Sequence, residues 1–169
     1  KYGYMDKTGV MLIPCQFDMA YTFKDSLAII RNGYQFGFIN KAGNLVIPAV
    51  YDDAYDFYEG LAAVQKDGLW GYVNKKGTVV IPFRYGDAGH FAEGLAPVMK
   101  DGKYGFIDIS GNTIIPFLYK FAYPFAKGKA IAGDEEDEVV VLDTRGNEIF
   151  AAQLRSVFYE DLALVINDK

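Results

Sequence analysis

The sequence is poor in the residues that build metal and thiol chemistry: 169 residues hold one Cys, one His and one Trp. A lone Cys15 excludes a disulfide framework and any paired-cysteine zinc site. Basic charge is also short, with 17 Lys and Arg against 22 Asp and Glu, a net charge of −5 and a pI near 4.9. Phosphate binding needs a basic face, so nucleic acid is excluded as the main partner. No apolar run exceeds about six residues, well short of the ~20 a membrane helix needs, so no membrane partner is expected. Nucleotide-binding GxGxxG and P-loop patterns are absent, as is HExxH. The chain begins at Lys1 and not at Met, which reads as a mature form or an excised piece, with any signal peptide out of view.

What is present is apolar and aromatic. The chain is 51% apolar, with 13 Tyr and 13 Phe, an ordinary globular composition that excludes disorder. A domain of this size buries roughly 70% of its unfolded surface, enough to stand without metal or disulfide.

A 34-residue repeat dominates the chain. Gly3, Gly37, Gly71 and Gly105 keep that spacing, as do Pro14, Pro48, Pro82 and Pro116, each preceded by Ile. Aromatics recur at Phe17, Tyr51, Tyr85 and Tyr119, and Phe at 23, 57, 91 and 125. Five units, approximately 3–36, 37–70, 71–104, 105–138 and 139–169, fill a single repeat domain; the fifth drifts by one residue at Asp143-Thr144-Arg145-Gly146 and returns to pattern at Leu162-Ala163.

Each unit carries two hairpin signals. Asp or Asn three places before Gly, as in Asn40 to Gly43, opens a type I turn closed by a glycine at positive φ. Asn32-Gly33, Asp67-Gly68 and Asp101-Gly102 suit a tight primed turn. Between them lie short β-rich runs, too short for helices. The reading is all-β: a three-stranded antiparallel meander per unit, then an irregular connector of about a dozen residues. Prolines are expected at strand ends. The third strand, as in Val79-Val80-Ile81, is expected to be buried on both faces. The mid-strand glycines Gly37, Gly71 and Gly105 are expected to lie beneath a neighbouring aromatic.

The combination of Trp70-Gly71, Asn74 to Gly77, Ile81-Pro82, Gly94-Leu95-Ala96 and Asp101-Gly102 resembles the WG (KWG) repeat of bacterial proteins. Departures sit in the outer units: Ser26 replaces a glycine, Lys129 a leucine, and Val140 the strand glycine. Atypical outer units are what capping predicts. The resemblance implies a β-rich binding array within a larger bacterial protein, accessory to a catalytic domain such as an ADP-ribosyltransferase. Stability is expected from stacking of neighbouring units, as an open β-solenoid or superhelix. The alternative is a closed five-bladed propeller: the C-terminal Leu162–Lys169 has the pattern of a unit's first strand, and Lys1-Tyr2-Gly3-Tyr4 that of its second. Three strands per unit weighs against the propeller, whose blades commonly have four.

Catalysis needs unlike groups converging at one place, whereas a repeat lays down like groups at intervals. His90 has no nucleophile motif beside it, and its equivalents are Thr22, Asp56 and Pro124. Cys15 stands where other units have Ala49, Phe83 and Phe117, which reads as a small core or half-buried filler. The acidic run Asp134–Glu138 lacks the spacing of a calcium loop and reads as a solvated hairpin tip. Asp52, Asp53, Asp56 and Asp87 read as turn caps. No catalytic, cofactor or metal residue is nominated. The candidate partner-binding residues are Tyr21, Tyr55, His90 and Tyr123, polar aromatics at one connector bend. The expected function is a non-enzymatic scaffold for a protein partner or another domain of the parent chain. The alternative is a carbohydrate or cell-wall binding module.

Overall fold

The computed structural model describes residues 1–135 and 138–153, and within them all regular structure is β. The strands are β1 (Tyr2–Met5), β2 (Met11–Phe17), β3 (Met19–Ala20), β4 (Leu27–Asn32), β5 (Gln35–Asn40), β6 (Leu45–Tyr51), β7 (Asp53–Ala54), β8 (Leu61–Lys66) and β9 (Leu69–Asn74). They continue as β10 (Val79–Tyr85), β11 (Asp87–Ala88), β12 (Leu95–Lys100), β13 (Lys103–Asp108), β14 (Thr113–Tyr119), β15 (Phe121–Ala122), β16 (Lys129–Glu135), β17 (Glu138–Asp143) and β18 (Glu148–Gln153). Two compact units divide the chain at Tyr85 and Gly86. The first holds a two-stranded β1-β2 sheet and the four-stranded sheets β3-β4-β5-β6 and β7-β8-β9-β10; the second holds β11-β12-β13-β14 and β15-β16-β17-β18. Every pairing is antiparallel between chain neighbours, and no sheet closes into a barrel. This is the meander array of the open-solenoid expectation.

The turns explain the order. At Asn40 the side-chain Oδ1 accepts the N–H groups of Ala42 and Asn44, both at 3.0 Å, and Gly43 closes the turn at φ +82°. Asp67-Gly68 and Asp101-Gly102 take φ values of +52°/+77° and +52°/+76°, the signature of type I′ turns. In the first four-stranded sheet the turn sits one residue later than its Asn32-Gly33 signal: Asn32 pairs with Gln35, so Gly33 and Tyr34 form the tip. Only Gly33 has positive φ there, as a type II′ turn requires.

Four strands per sheet replace the expected three. The connector is ordered: it contributes the two-residue strands β3, β7, β11 and β15, and then a hairpin. Tyr58 and Leu61 exchange both backbone hydrogen bonds, at 2.9 and 3.0 Å, across Glu59-Gly60, whose φ values are +49° and +84°. Strand number therefore no longer weighs against a ring.

Proline and glycine of the signature belong to one bulge. Pro48 lies mid-strand in β6, not at its end as the sequence suggested. Phe38 pairs with Ile47 and Phe36 with Tyr51, so four steps of β6 face two of β5. Proline fits because β6 is an edge strand, where its missing N–H costs no ladder bond. The bulging backbone fills the space over Gly37: a Cβ there would lie 2.6 Å from the Ile47 carbonyl oxygen and 2.7 Å from the Ala49 nitrogen. A Cβ on Gly71 would likewise lie 2.6 Å from Ile81 O, beside Pro82, and one on Gly105 2.6 Å from Ile115 O, beside Pro116. The glycines thus make room for backbone, and at Gly71 a Cβ would also meet an aromatic, Phe83 Cδ1 at 3.0 Å.

The strands buried on both faces are the central ones. Leu61-Ala62-Ala63-Val64 and Trp70-Gly71-Tyr72-Val73 are wholly buried, whereas Val79 and Val80 on the outer strand are exposed. The bulge and the free edge leave the outer strand one inward line, Ile81 and Tyr85. Inside each unit, neighbouring sheets share an apolar cluster. Ile13 and Phe17 pack with Ala28, Ile30 and Ile39; Phe38, Ile47 and Tyr51 pack with Phe57, Ala62, Val64 and Val73; Phe106, Ile115 and Tyr119 pack with Phe125, Ala130 and Ala132. Each large side chain contributes about 1.5–3 kcal/mol by leaving water. Small Ala at positions 28, 62 and 130 lets the sheets approach.

Candidate functional site

The short strands fix the candidate tyrosines. The residue after each donates its backbone N–H to the long strand beside it: Tyr21 to Ile29 at 3.0 Å, Tyr55 to Ala63 at 2.9 Å and Tyr123 to Ile131 at 2.8 Å. All three rings are exposed, between 42% and 56%. In the third sheet this place belongs to Gly89, bonded to the Pro97 carbonyl at 2.8 Å. A Cβ on Gly89 would lie 2.7 Å from Pro97 Cγ, so no side chain fits beside that proline. His90 sits one residue further along and is half-buried.

The tyrosines differ in their surroundings. The Tyr55 ring stacks on Trp70, with centroids 4.9 Å apart and planes 11° from parallel. Tyr123 meets Phe121 edge-on at 6.0 Å. The Tyr21 carbonyl accepts the Tyr4 hydroxyl at 2.8 Å; burial raises the Tyr4 phenol above its ordinary pKa. Tyr34, 91% exposed at its hairpin tip, is a surface aromatic that sequence reading passed over. The signal was there: 34 residues before Gly68 lies Tyr34, a turn position.

The nearby carboxylates are engaged with backbone. Asp53 Oδ1 accepts the Ala54 N–H at 2.8 Å and Asp87 Oδ1 the Ala88 N–H at 2.9 Å, while the Tyr104 hydroxyl donates to Asp87 Oδ2. Asp18 accepts Lys1 Nζ at 2.6 Å and the Gly33 N–H at 2.8 Å, and these bonds hold its carboxyl below the usual range. Such carboxylates brace turns and short strands. Among the described residues no three of His, Cys, Asp and Glu converge as metal ligands. Cys15 is exposed, contrary to the filler reading, whereas Ala49, Phe83 and Phe117 at the equivalent places are half-buried. Glu136 and Asp137 of the acidic run, and the Leu162-Ala163 pair, lie outside the described residues. No helix among the described residues is long and apolar enough to cross a membrane.

A regularly repeated β-meander whose glycine and proline share one bulge defines a β-repeat protein. Residues 2–35, 36–70, 70–104 and 104–133 each match the WG containing repeat, and the chain belongs to that family. No curated protein matches it. Among solved structures it is similar to KlHsv2 with loop 6CD replaced by a Gly-Ser linker, at 12% identity and TM-score 0.51, covering 75% of this chain and 48% of that one. The computationally designed Ika4 protein gives 13% identity and TM-score 0.50, covering 72% of this chain and 87% of that one. BamB from Moraxella catarrhalis gives 12% and 0.50, covering 78% and 50%. The chain spans about half the length of KlHsv2 and of BamB. At these identities the likeness is one of fold alone.

Proposed function

We propose that this chain is a non-enzymatic scaffold that binds a protein partner, or another domain of its parent chain, through the exposed tyrosines that follow its short strands. The observation behind this reading is a fixed backbone position that carries an exposed ring at Tyr21, Tyr55 and Tyr123. A ring held by a rigid sheet gives contact area at low entropic cost, and its hydroxyl gives a directed hydrogen bond. Family membership supports the scaffold role, since repeat arrays offer extended surfaces without a reaction centre. The net charge of −5 favours a neutral or basic partner. A catalytic neighbour in the parent protein, such as an ADP-ribosyltransferase domain, is one such partner.

The test is a Tyr21→Ala and Tyr123→Ala double variant, which spares the Tyr55–Trp70 stack. Crosslinking mass spectrometry in the native host is expected to give protein crosslinks at these positions that the variant loses, with its melting temperature unchanged. A variant that unfolds would assign the rings to the core. Glycan-array binding without protein crosslinks would establish the carbohydrate-module reading instead, and turnover by the chain would establish an enzyme.

A further inference from the structure

The edge of each sheet that lies opposite the tyrosines also follows a pattern. In the order β7-β8-β9-β10, Tyr55 follows β7 at one side and β10 closes the other; β6 closes its own sheet in the same way. Antiparallel neighbours alternate between pairs that exchange both backbone bonds and pairs that exchange none. Asn40 donates its N–H to the Asn44 carbonyl at 3.0 Å, so the next pair, Ile39 with Leu45, exchanges none. The N–H and C=O of Leu45 therefore point away from β5, along the free edge. Val79 holds the same place on β10: Asn74 donates to the Thr78 carbonyl at 3.0 Å, and Val79 faces Val73.

These edge residues are apolar and open to solvent. Leu45 is 53% exposed, Val79 43% and Val80 40%. Natural edges are defended by proline or by charge on the strand itself. Here Pro48 and Pro82 guard only the later half of each strand. The earlier half has room for a short added strand, held by backbone bonds and selected by its side chains. The turns that lead into both strands are basic: Lys41 before β6, and Lys75 with Lys76 before β10. All three are exposed, and among the described residues Lys41 and Lys76 make no ion pair. Lys75 meets Asp25 at 3.4 Å.

We propose that β6 and β10 each accept an extended, apolar segment of a protein partner that carries acidic residues at its C-terminal end. The added strand runs antiparallel, like the β5–β6 and β9–β10 pairings beside it. One of its residues exchanges both backbone bonds with Leu45 or Val79, and its acidic end meets the lysine turn. A second copy of this chain is disfavoured as the occupant, because its own β6 and β10 bring the same positive turns. β14 supplies an internal comparison. It has the same edge geometry, with Thr113 facing Ile107 after a 2.9 Å bond from Asp108 N–H to the Asn112 carbonyl. Its turn, however, is Asp108-Ile109-Ser110-Gly111 and carries no base. An acidic segment therefore selects β6 and β10 over β14.

The probe is a synthetic peptide of alternating Val and Thr that ends in two Asp, compared with the same peptide ending in two Lys. Amide exchange and NMR titration read the outcome on the full chain. At saturation the acidic peptide is expected to slow exchange at Leu45 and Val79 about tenfold, with Thr113 little changed. Lys41→Glu with Lys76→Glu disturbs no ion pair and is expected to weaken binding about tenfold at an unchanged melting temperature. Leu45→Pro removes a donor that β5 does not use. It is expected to abolish the response of Asn44 and Val46, while Val79 still slows. Tyr21→Ala with Tyr123→Ala is expected to leave all of this intact, which separates the edge from the tyrosine surface. Equal binding of the two peptides, equal slowing at Thr113, or no slowing at Leu45 and Val79 overturns the inference. So does protection of these amides that rises with protein concentration alone, since the occupant is then a second copy.

Discussion

Two backbone positions place opposite demands on the side chain they carry. Ser26 adopts φ +74° where the equivalent hairpins use Gly60, Gly94 and Gly128 at +75° to +84°. A side chain in this left-handed region costs about 1–2 kcal/mol, and glycine's extra unfolded-state entropy offsets roughly half of that. Ser26→Gly is therefore expected to stabilise the chain by up to about 1 kcal/mol, seen as a rise in denaturant midpoint at constant slope. Gly37 is the opposite case. Its φ is ordinary, but an added methyl meets the Ile47 carbonyl and Ala49 nitrogen of the bulge, and backbone cannot rotate away as a side chain can. Gly37→Ala is expected to cost about 1–3 kcal/mol. An unchanged midpoint would show that the bulge is softer than its geometry implies.

At the scale of the element, the turn that precedes each outer strand is held by one side chain. Asp108 accepts the N–H groups of Ser110 and Asn112 at 2.9 Å and the Asn112 side-chain amide at 2.9 Å. Chiefly through that amide, its carboxyl lies below the usual range, as do those of Asp143, bonded to Asn147, and Asp6, bonded to Thr8. A depressed carboxylate lends stability that is complete above its unfolded pKa, about 3.9, and is lost as pH falls through the folded value. Asn40 and Asn74 make the same backbone bonds without a charge. Replacing Asp6, Asp108 and Asp143 together by Asn is expected to flatten the acid limb of the stability curve below about pH 4 and to leave neutral stability little changed. Hairpins of this kind were legible in sequence, because Asx and Gly carry their own geometry to the turn. The two-residue strands were not, since Asp53-Ala54 is too short to show alternation and is set by its neighbour β8. The Glu59-Gly60 hairpin was hidden because Glu is an unusual residue at positive φ. The outer strand misled for a different reason: Val79-Val80-Ile81 is uniformly apolar, but Val79 to Ile81 takes two steps against one of β9 along a free edge, and Val79 and Val80 face solvent. Tyr21, Tyr55 and Tyr123 share one backbone place after the short strands, whereas His90 lies one residue beyond it, and at the place itself the Gly89–Pro97 pair leaves no room for a side chain.

For the molecule as a whole, stability resides between sheets more than within them. Each sheet is too thin to enclose a core, and each apolar cluster draws on two adjacent sheets. An array of this kind behaves as a chain of nearest-neighbour couplings. Within the first unit, Phe57 is 2% exposed and meets Phe38 edge-on, with centroids 5.0 Å apart across the boundary between β3–β6 and β7–β10. Phe57→Ala removes a ring from that boundary and is expected to cost about 3–5 kcal/mol. The loss should be local in space. Amide exchange is expected to accelerate in β4, β5, β8 and β9, the strands on either side of the cavity. β1 and β2 share a separate cluster, built on Ile13, Phe17 and Ile30, and are expected to accelerate far less. Uniform acceleration across all these strands would mean that the unit unfolds as one cooperative body, and that its stacked sheets are joined more strongly than their shared apolar surfaces account for.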